Sequence, residues 1–359
     1  MKIKDICTSV TDGSHNPPLG IEKSEYMMLS SKNIFDDEIT FDEPRFLTER
    51  DFEKEHRRTK IAVGDVLFTI VGTVGRIAVV DEDMSTFALQ RSVAVLHPKN
   101  DVCLPRFLMY ALRGKRTYIE NRAKGVAQKG IYLKEVSDID IHIPDISNQE
   151  IIINKLDKVN AIIKLRQKEL LVLDNFIKAR FVEMFGDPIR NTQNRPTTEF
   201  INVVRMQRGF DLPVQDRQQD GKIPVYGSNG VLDHHNVAKI QGGGVITGRS
   251  GTIGKVFYTE GDYWPLNTSL FSVDTHGNNV IYLAYLLQLF NLTRFVEGTG
   301  VPTLNRNMFH NKQIIDAPIE EQNQFADFVH QVDKSKFAVQ KTLEQTQTLF
   351  DSLMQKYFG

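Results

Sequence analysis

The chain repeats itself at the scale of a whole domain, and this limits its possible folds more than any other feature. Gly72-Thr73-Val74-Gly75-Arg76 returns as Gly251-Thr252-Ile253-Gly254-Lys255, and a glycine-rich stretch ending in Leu133 returns as one ending in Leu304. A proline followed by Asn148-Gln149-Glu150 returns as Pro318 followed by Glu321-Gln322-Asn323. Met184-Phe185-Gly186 matches the final Tyr357-Phe358-Gly359. The pairs lie about 170 to 180 residues apart, far beyond a solenoid period. Such a chain does the work of a dimer and presents two related surfaces to a partner that is itself roughly two-fold.

Composition narrows the class. The 359 residues allow two ordinary cores, and 41% apolar with 25% charged content excludes disordered and fibrous chains. No apolar run approaches the ~20 residues of a membrane span, and Met1 to Asp5 carries no signal-peptide core, so a cytoplasmic protein is expected. Cys7 and Cys103 lack metal-type spacing, and neither a disulfide framework nor a zinc site is expected. Net charge is -1, which argues against an indiscriminate nucleic-acid binder and leaves local fields open. From Arg106 to Lys134 the chain carries Arg113, Lys115, Arg116, Arg122, Lys124 and Lys129, with Glu120 the only acid. Asp36 to Glu55 has the opposite bias. Such a run is either a solvated helix face or an interaction surface.

Each copy runs through a strand-rich globular part and then one long helix. Asp65 to Val71 and Arg76 to Val80 read as short strands around a glycine turn, as do Gly244 to Thr247 and Lys255 to Tyr258. Short helices are expected near Leu104 to Asn121 and Asn279 to Phe295, and a strand at Ile139 to Ile143. The fold class is therefore α+β, with a small mixed or strongly twisted sheet in each copy. Between Asn148 and Met184, apolar residues at Leu156, Val159, Ile163, Leu170, Leu173, Ile177 and Met184 follow an alternating 3–4 spacing, with Arg166 and Arg180 in polar slots. The second helix gives Phe325, Val329, Val332, Val339, Leu343, Phe350, Leu353 and Tyr357, with Lys336 and Thr346 as its polar positions. At roughly 37 residues each would be ~55 Å long. Two such stripes in one chain predict an intramolecular two-helix coiled coil, ahead of two independent dimerisation helices. Gly186-Asp187-Pro188 ends the first helix, and the polar stretch Asn191 to Pro196 links to the second globular part. The expected segments are 1–145, 146–187, 188–317 and 318–359.

Several catalytic motifs come close and fail. Gln241 to Lys255 looks like a phosphate loop, yet Arg249 stands where the Walker spacing needs Gly and Val256 where it needs Ser or Thr. A hairpin whose glycines supply positive φ is the better reading, with Arg76 or Lys255 free to meet a backbone phosphate. Asn16-Pro17-Pro18-Leu19 resembles the Asn-Pro-Pro-aromatic motif of adenine methyltransferases, but Leu19 replaces the ring that stacks on a flipped base. His234 and His235 read as exposed loop histidines. No nucleophile triad or nuclease cluster is present in the sequence.

Taken together in order, and twice, these segments resemble the DNA-specificity (S) subunits of type I restriction-modification systems over essentially the whole chain. Thr11-Asp12-Gly13-Ser14-His15 is similar to the family's Asp-Gly-Thr-His opening. Met28 to Ile34 and Lys222 to Gly230 resemble two forms of a strand found in its recognition domains. Gly64 to Phe68 with Gly72 to Arg76, Gly125 to Leu133, Ile143-Pro144 and Gln149-Glu150 complete the first copy; Gly298 to Leu304 and Pro318 to Gln322 belong to the second. The resemblance implies two target recognition domains separated by antiparallel helices, each reading one half of an asymmetric double-stranded DNA site. It further implies that two methyltransferase subunits dock on the helices and that motor-endonuclease subunits join the assembly. S-adenosylmethionine, ATP and Mg2+ would belong to those partners, with no cofactor, metal or catalytic residue in this chain. Helices of this length suit reading faces about one DNA turn apart, ~34 Å.

Contacts of this kind combine basic side chains on phosphates with polar ones on base edges. The expected residues are Ser14, His15, Ser31, Lys32, Arg76, Gln90, Arg91 and Lys129 in the first copy. In the second they are Ser228, Asn229, Arg249, Ser250, Lys255, Asn267 and Arg306. The alternative is an enzyme: a methyltransferase built on Asn16 to Leu19, or a fragment of a fused restriction enzyme. A bivalent interaction protein without DNA is a third reading.

Overall fold

The computed structural model describes residues 1–359 except 82, 83, 85, 124–128, 219 and 299–301. Lys124, the motif residues Gly125 to Gln128, and Thr299, Gly300 and Val301 lie outside the described residues. The chain divides into two units: Met1–Leu165 with Leu343–Gly359, and Arg166–Thr342. Each unit therefore combines one globular part with one half of each long helix.

Both units contain a four-stranded antiparallel sheet of identical connectivity. In unit 1 the order is Cys7–Asp12, Val93–Pro98, Val66–Thr69, Ile77–Val79. In unit 2 it is Arg205–Arg208, Ser269–Asp274, Gly244–Gly248, Val256–Thr259. The side-chain alternation of a strand explains why Val66, Leu67, Phe68 and Thr69 are all buried. Val66 and Phe68 enter the core shared with the helices, while Leu67 enters a second core on the other face. Val245 and Ile246 divide in the same way in unit 2. A strand covered on both faces must be apolar throughout, which is why these stretches stood out in the sequence.

A three-stranded sheet accompanies each four-stranded one. Met27–Leu29 runs parallel to Phe87–Leu89 in unit 1, and Ile223–Gly227 runs parallel to Trp264–Pro265 in unit 2. The glycine turns are hairpins in both copies. Gly72 and Gly75 have φ of 85° and 94°, and Gly251 and Gly254 have 80° and 87°, a region costly for any residue with a Cβ. No helix follows the turn at Gly251, so the loop that mimics a phosphate cradle lacks the helix N-terminus such a cradle needs.

The long helices span Ile146–Phe185 and Ile319–Phe358, 40 residues each. Within unit 1, Leu156 and Ile163 of the first share a core with Phe350 and Phe358 of the second. Within unit 2, Ile177, Phe181 and Phe185 share one with Phe325, Val329 and Val332. Early residues of one helix thus meet late residues of the other, which is antiparallel pairing. Phe181, Phe185 and Phe358 are buried beside the expected seam residues Met184 and Tyr357, because aromatic rings fill the wider space where the helices meet the globular parts.

Each long helix is tied to its globular part by a buried glutamine. The Gln149 amide donates to the carbonyls of Val102 and Pro144 and accepts from the Leu104 N–H at 2.8 Å. The Gln322 amide donates to Asn278 Oδ1 and the Ala317 carbonyl and accepts from the Asn279 N–H at 2.9 Å. The repeated motif at these positions is a structural clasp.

Three expectations need correcting. Ile139 to Ile143 forms only an isolated bridge, Lys2 to Asp140, because the segment meets just the short N-terminal stretch; burial of Ile139 and Ile141 produced the alternation. His234 and His235 lie on the strand Gly230–His235 rather than in a loop, with the His235 ring 5.4 Å from Trp264. The glycine-rich repeat also aligns two residues away from its sequence pairing. Ile131 and Leu304 both donate to the residue two before the turn glycine, Ile70 and Arg249, so Ile131 is the partner of Leu304.

Candidate nucleic-acid interface

In unit 1 a chain turn after Cys7–Asp12 gathers much of the expected set. Gly13 has no room for a Cβ against the carbonyls of Leu89 and Gln90, and this close approach lets the Ser14 N–H donate to the Leu89 carbonyl at 2.7 Å. The Arg91 N–H returns to the Ser14 carbonyl at 2.9 Å, and Gln90 bridges Ser14. Ser31 joins through its N–H to Ser92 Oγ at 3.0 Å. Ser14, His15, Ser31, Gln90 and Arg91 are therefore brought together, with Ser14 buried and His15 and Arg91 exposed. His15 Nε2 lies 2.7 Å from Asp12, whose carboxylate also accepts from Arg58 at 2.7 Å. Lys129 is exposed and its carbonyl accepts from the Gly72 N–H, placing it at the glycine turn. Lys32 is exposed and 4.0 Å from Glu43. Arg76 is turned elsewhere, its guanidinium 4.7 Å over the Phe35 ring. A cavity of 330 Å³ beside the cluster is lined by Asp12, His15, Arg91 and Tyr132, the last 71% exposed.

Unit 2 builds the same turn with other side chains. Gly209 packs against the carbonyls of Pro265 and Leu266 as Gly13 does against its pair. Asn229 accepts from Lys255 Nζ at 2.8 Å, and Ser228 lies against Gly248 and Gly251. Asn267 donates to Asp211. Ser250 bridges Thr303. Arg249 and Arg306 line a cavity of 380 Å³ together with Arg208, Asn305 and Asn307. Arg208 ends its strand at the position Asp12 holds in unit 1, and the repeat of a residue before Gly13 and Gly209 was the sequence signal for it. Tyr132 and Asn305, each the residue before a short helix, were likewise absent from the expected set.

Three arginines of the basic run are spent inside unit 1. Arg106 pairs with Asp37 and Asp157, Arg116 pairs with Asp36, and Arg113 lies over the Phe350 ring. The two oppositely charged stretches of the sequence therefore meet each other. Asn16 to Leu19 is a surface loop whose Leu19 is 91% exposed, while the Pro18 carbonyl accepts from Arg45. Cys7 and Cys103 are free and buried, and burial pushes both thiols up to about 12.

Fold and site together define a duplicated recognition protein: two α+β units of one connectivity, with different polar residues mounted at the same turn. A family model for the type I restriction modification DNA specificity domain matches residues 1–175 and again 191–346, and the chain belongs to that family. The type I restriction enzyme EcoBI specificity subunit of Escherichia coli is 27% identical over 160 residues, 44% of this chain and 32% of the relative. The match thus spans about a third of that relative's length. The S subunit of a type I restriction-modification system from M. genitalium superposes with a TM-score of 0.61 at 14% identity, over 100% of this chain and 95% of that one. A chain from a structure addressing complex assembly and conformational transition of the type I R-M system gives 0.54 at 15%, over 100% and 96%. At these identities the likeness is one of fold.

Proposed function

We propose that the chain is a DNA-specificity subunit of a type I restriction-modification complex, with each unit reading one half of a bipartite, asymmetric duplex site. The observation that carries this reading is the pairing of identical sheet connectivity with unlike residues at the equivalent turns: Asp12, Ser14 and His15 against Arg208, Phe210 and Asp211. A common frame with divergent readers suits two different half-sites. The expected DNA-contacting residues keep this role, with Arg208 and Tyr132 added. The 40-residue helices, about 60 Å each at ~1.5 Å per residue, would set the unread spacer and dock two methyltransferase subunits. Methyl transfer and cleavage would belong to the methyltransferase and motor-endonuclease subunits. The segments 1–145 and 188–317 would be the readers, and 146–187 and 318–359 the spacer. Among the described residues no helix is long and apolar enough to cross a membrane. A cytoplasmic location accords with this role.

Sequencing methylated adenines in cells expressing the chain with its partners tests the reading. The expected result is two short, unlike half-sites separated by unread bases, and residues inserted in both helices should lengthen only the gap. A continuous or palindromic motif would overturn it. So would methylation of adenine by the purified chain alone.

A further inference from the structure

The cavity of 380 Å³ in unit 2 is lined by three arginines and one acid, its counterpart in unit 1 by one arginine, one histidine and one acid. Register fixes the correspondence. Gly13 and Gly209 make the same close approach, so Arg208 stands where Asp12 does. Ile70 and Arg249 donate through their N–H groups to Ser92 and Thr268, the residues one before the paired strand positions Val93 and Ser269, so Arg249 stands where Ile70 does. Tyr132 and Asn305 cap the following short helices, so Arg306 stands where Leu133 does. Three arginines thus replace an acid and two apolar residues around one cavity.

These arginines also differ from others in unit 2. Arg195, Arg205 and Arg217 are paired with Glu321, Asp274 and Asp233. Among the described residues no carboxylate pairs with Arg208, Arg249 or Arg306, and Glu297 is the only acid lining the cavity. Three cations converging with one acid leave an uncompensated positive field. Guanidinium groups match phosphate geometry, and the neighbouring Asn305 and Asn307 add amide donors without charge.

We propose that Arg208, Arg249 and Arg306 form a seat for backbone phosphate of the DNA strand at the second half-site, and that unit 1 has no equivalent seat. The inference rests on the DNA-reading role proposed above. In unit 1, Asp12 takes up Arg58 and His15, which leaves Arg91 as the one arginine lining the cavity and no converging set of guanidinium groups. The two halves of the site are then gripped unequally. The second half carries the salt-dependent grip, because each phosphate neutralised releases counterions and steepens the salt dependence of binding.

The test uses the full chain assembled with its methyltransferase partner and a duplex bearing its methylated site. Affinity is measured across a salt series for the wild type and for Arg208→Gln, Arg249→Gln and Arg306→Gln. Each variant should weaken binding several-fold and shallow the logarithmic salt slope by about 0.9, the value for one B-DNA phosphate. The loss should be equal for every base at every second-half position, and Arg→Lys variants should keep the slope. Retention of slope by the lysine variants also shows that these folds are intact. Unchanged affinity and slope in the glutamine variants would overturn the proposal. A loss confined to one base position would also overturn it, since that marks a base reader. Failure of the wild type to bind duplex DNA would instead remove the DNA-reading role itself.

Discussion

Unit 1 and unit 2 share their sheets, glycine turns and glutamine clasps, yet fasten the globular part to the helices in different ways. In unit 1 a hairpin, Ile34–Phe35 and Glu38–Ile39, inserts Asp37 among cations. Its carboxylate accepts from Arg106 at 3.0 Å, Asn160 at 2.8 Å and Lys164 at 3.0 Å. Arg106 reaches on to Asp157, which also accepts from the Tyr110 hydroxyl at 2.6 Å. In unit 2 the equivalent of Tyr110 is Tyr285, by the matching clasps, and it borders an open cavity of 470 Å³. Among the described residues no acidic hairpin lines that cavity, and Ile281 replaces Arg106. Lys336 joins the two long helices, 2.6 Å from Asp174 and 3.5 Å from Asp333, and the globular part reaches them through the Tyr258 hydroxyl, which donates to Asp333 at 3.2 Å. The lesson is that duplication preserved the apolar frame and the buried glutamine clasps, which every copy needs, and left the half-exposed polar contacts free to diverge.

The clasps give the largest expected effect and should be symmetric. Gln149→Leu and Gln322→Leu each strand buried backbone groups, at about 1–3 kcal/mol per unsatisfied group. Each should destabilise its own unit by about 3 kcal/mol on that scale. Hydrogen exchange resolved by unit is the suitable measurement, since a two-unit chain need not unfold in one step. Unequal losses would break the claim of a shared frame. The fasteners should then be asymmetric. Arg106→Ala removes the bidentate partner of Asp157 and one of three donors to Asp37 in a half-buried site, and about 2 kcal/mol lies between surface pairs near ~0–1 and buried ones near ~3–5. Lys336→Ala opens a more solvated contact and should cost below about 1 kcal/mol. Equal costs would mean that this contact between the long helices of unit 2 holds as tightly as the hairpin contact of unit 1.

How much of this was legible in the sequence depended on the range of the signal. Helix periodicity and glycine turns are local, so Leu156, Ile177 and Gly72 could be read from their neighbours. The seam ends were less clear, because Phe181 and Phe185 sit one turn apart and serve the globular core as well as the partner helix. The Asn-Gln-Glu motif was visible, but a glutamine in a first helical turn looks like surface until three backbone partners enclose it. The arginine cavity was least legible. Positions 208, 249 and 306 lie about 40 to 60 residues apart; the strand order Arg205–Arg208, Ser269–Asp274, Gly244–Gly248 gathers the first two, and the Leu304 N–H bond to the Arg249 carbonyl brings in the third. Arg76 differs again: its place after the turn suggested a phosphate, while the fold lays its guanidinium over the Phe35 ring of the hairpin.

His310 offers the smallest effect and the sharpest distinction between the units. Its Nε2 accepts from the Met206 N–H at 3.2 Å, which requires the neutral ring. Burial, then the charges of Arg306 and Arg205, hold its pKa below the usual 6.5. The unfolded chain therefore binds the proton more readily than the folded one. Stability of unit 2 is full above about pH 6.5 and declines as pH falls below it. Amides around Met206 should lose protection between pH 7 and pH 5.5, after correction for intrinsic exchange, and unit 1 should not follow through this route. Arg306→Gln removes one repelling charge and should shrink the loss without abolishing it, because burial is the larger cause. A loss unchanged by Arg306→Gln would mean that Arg306 points its charge away from His310, and would weaken the picture of a field concentrated at the three-arginine cavity.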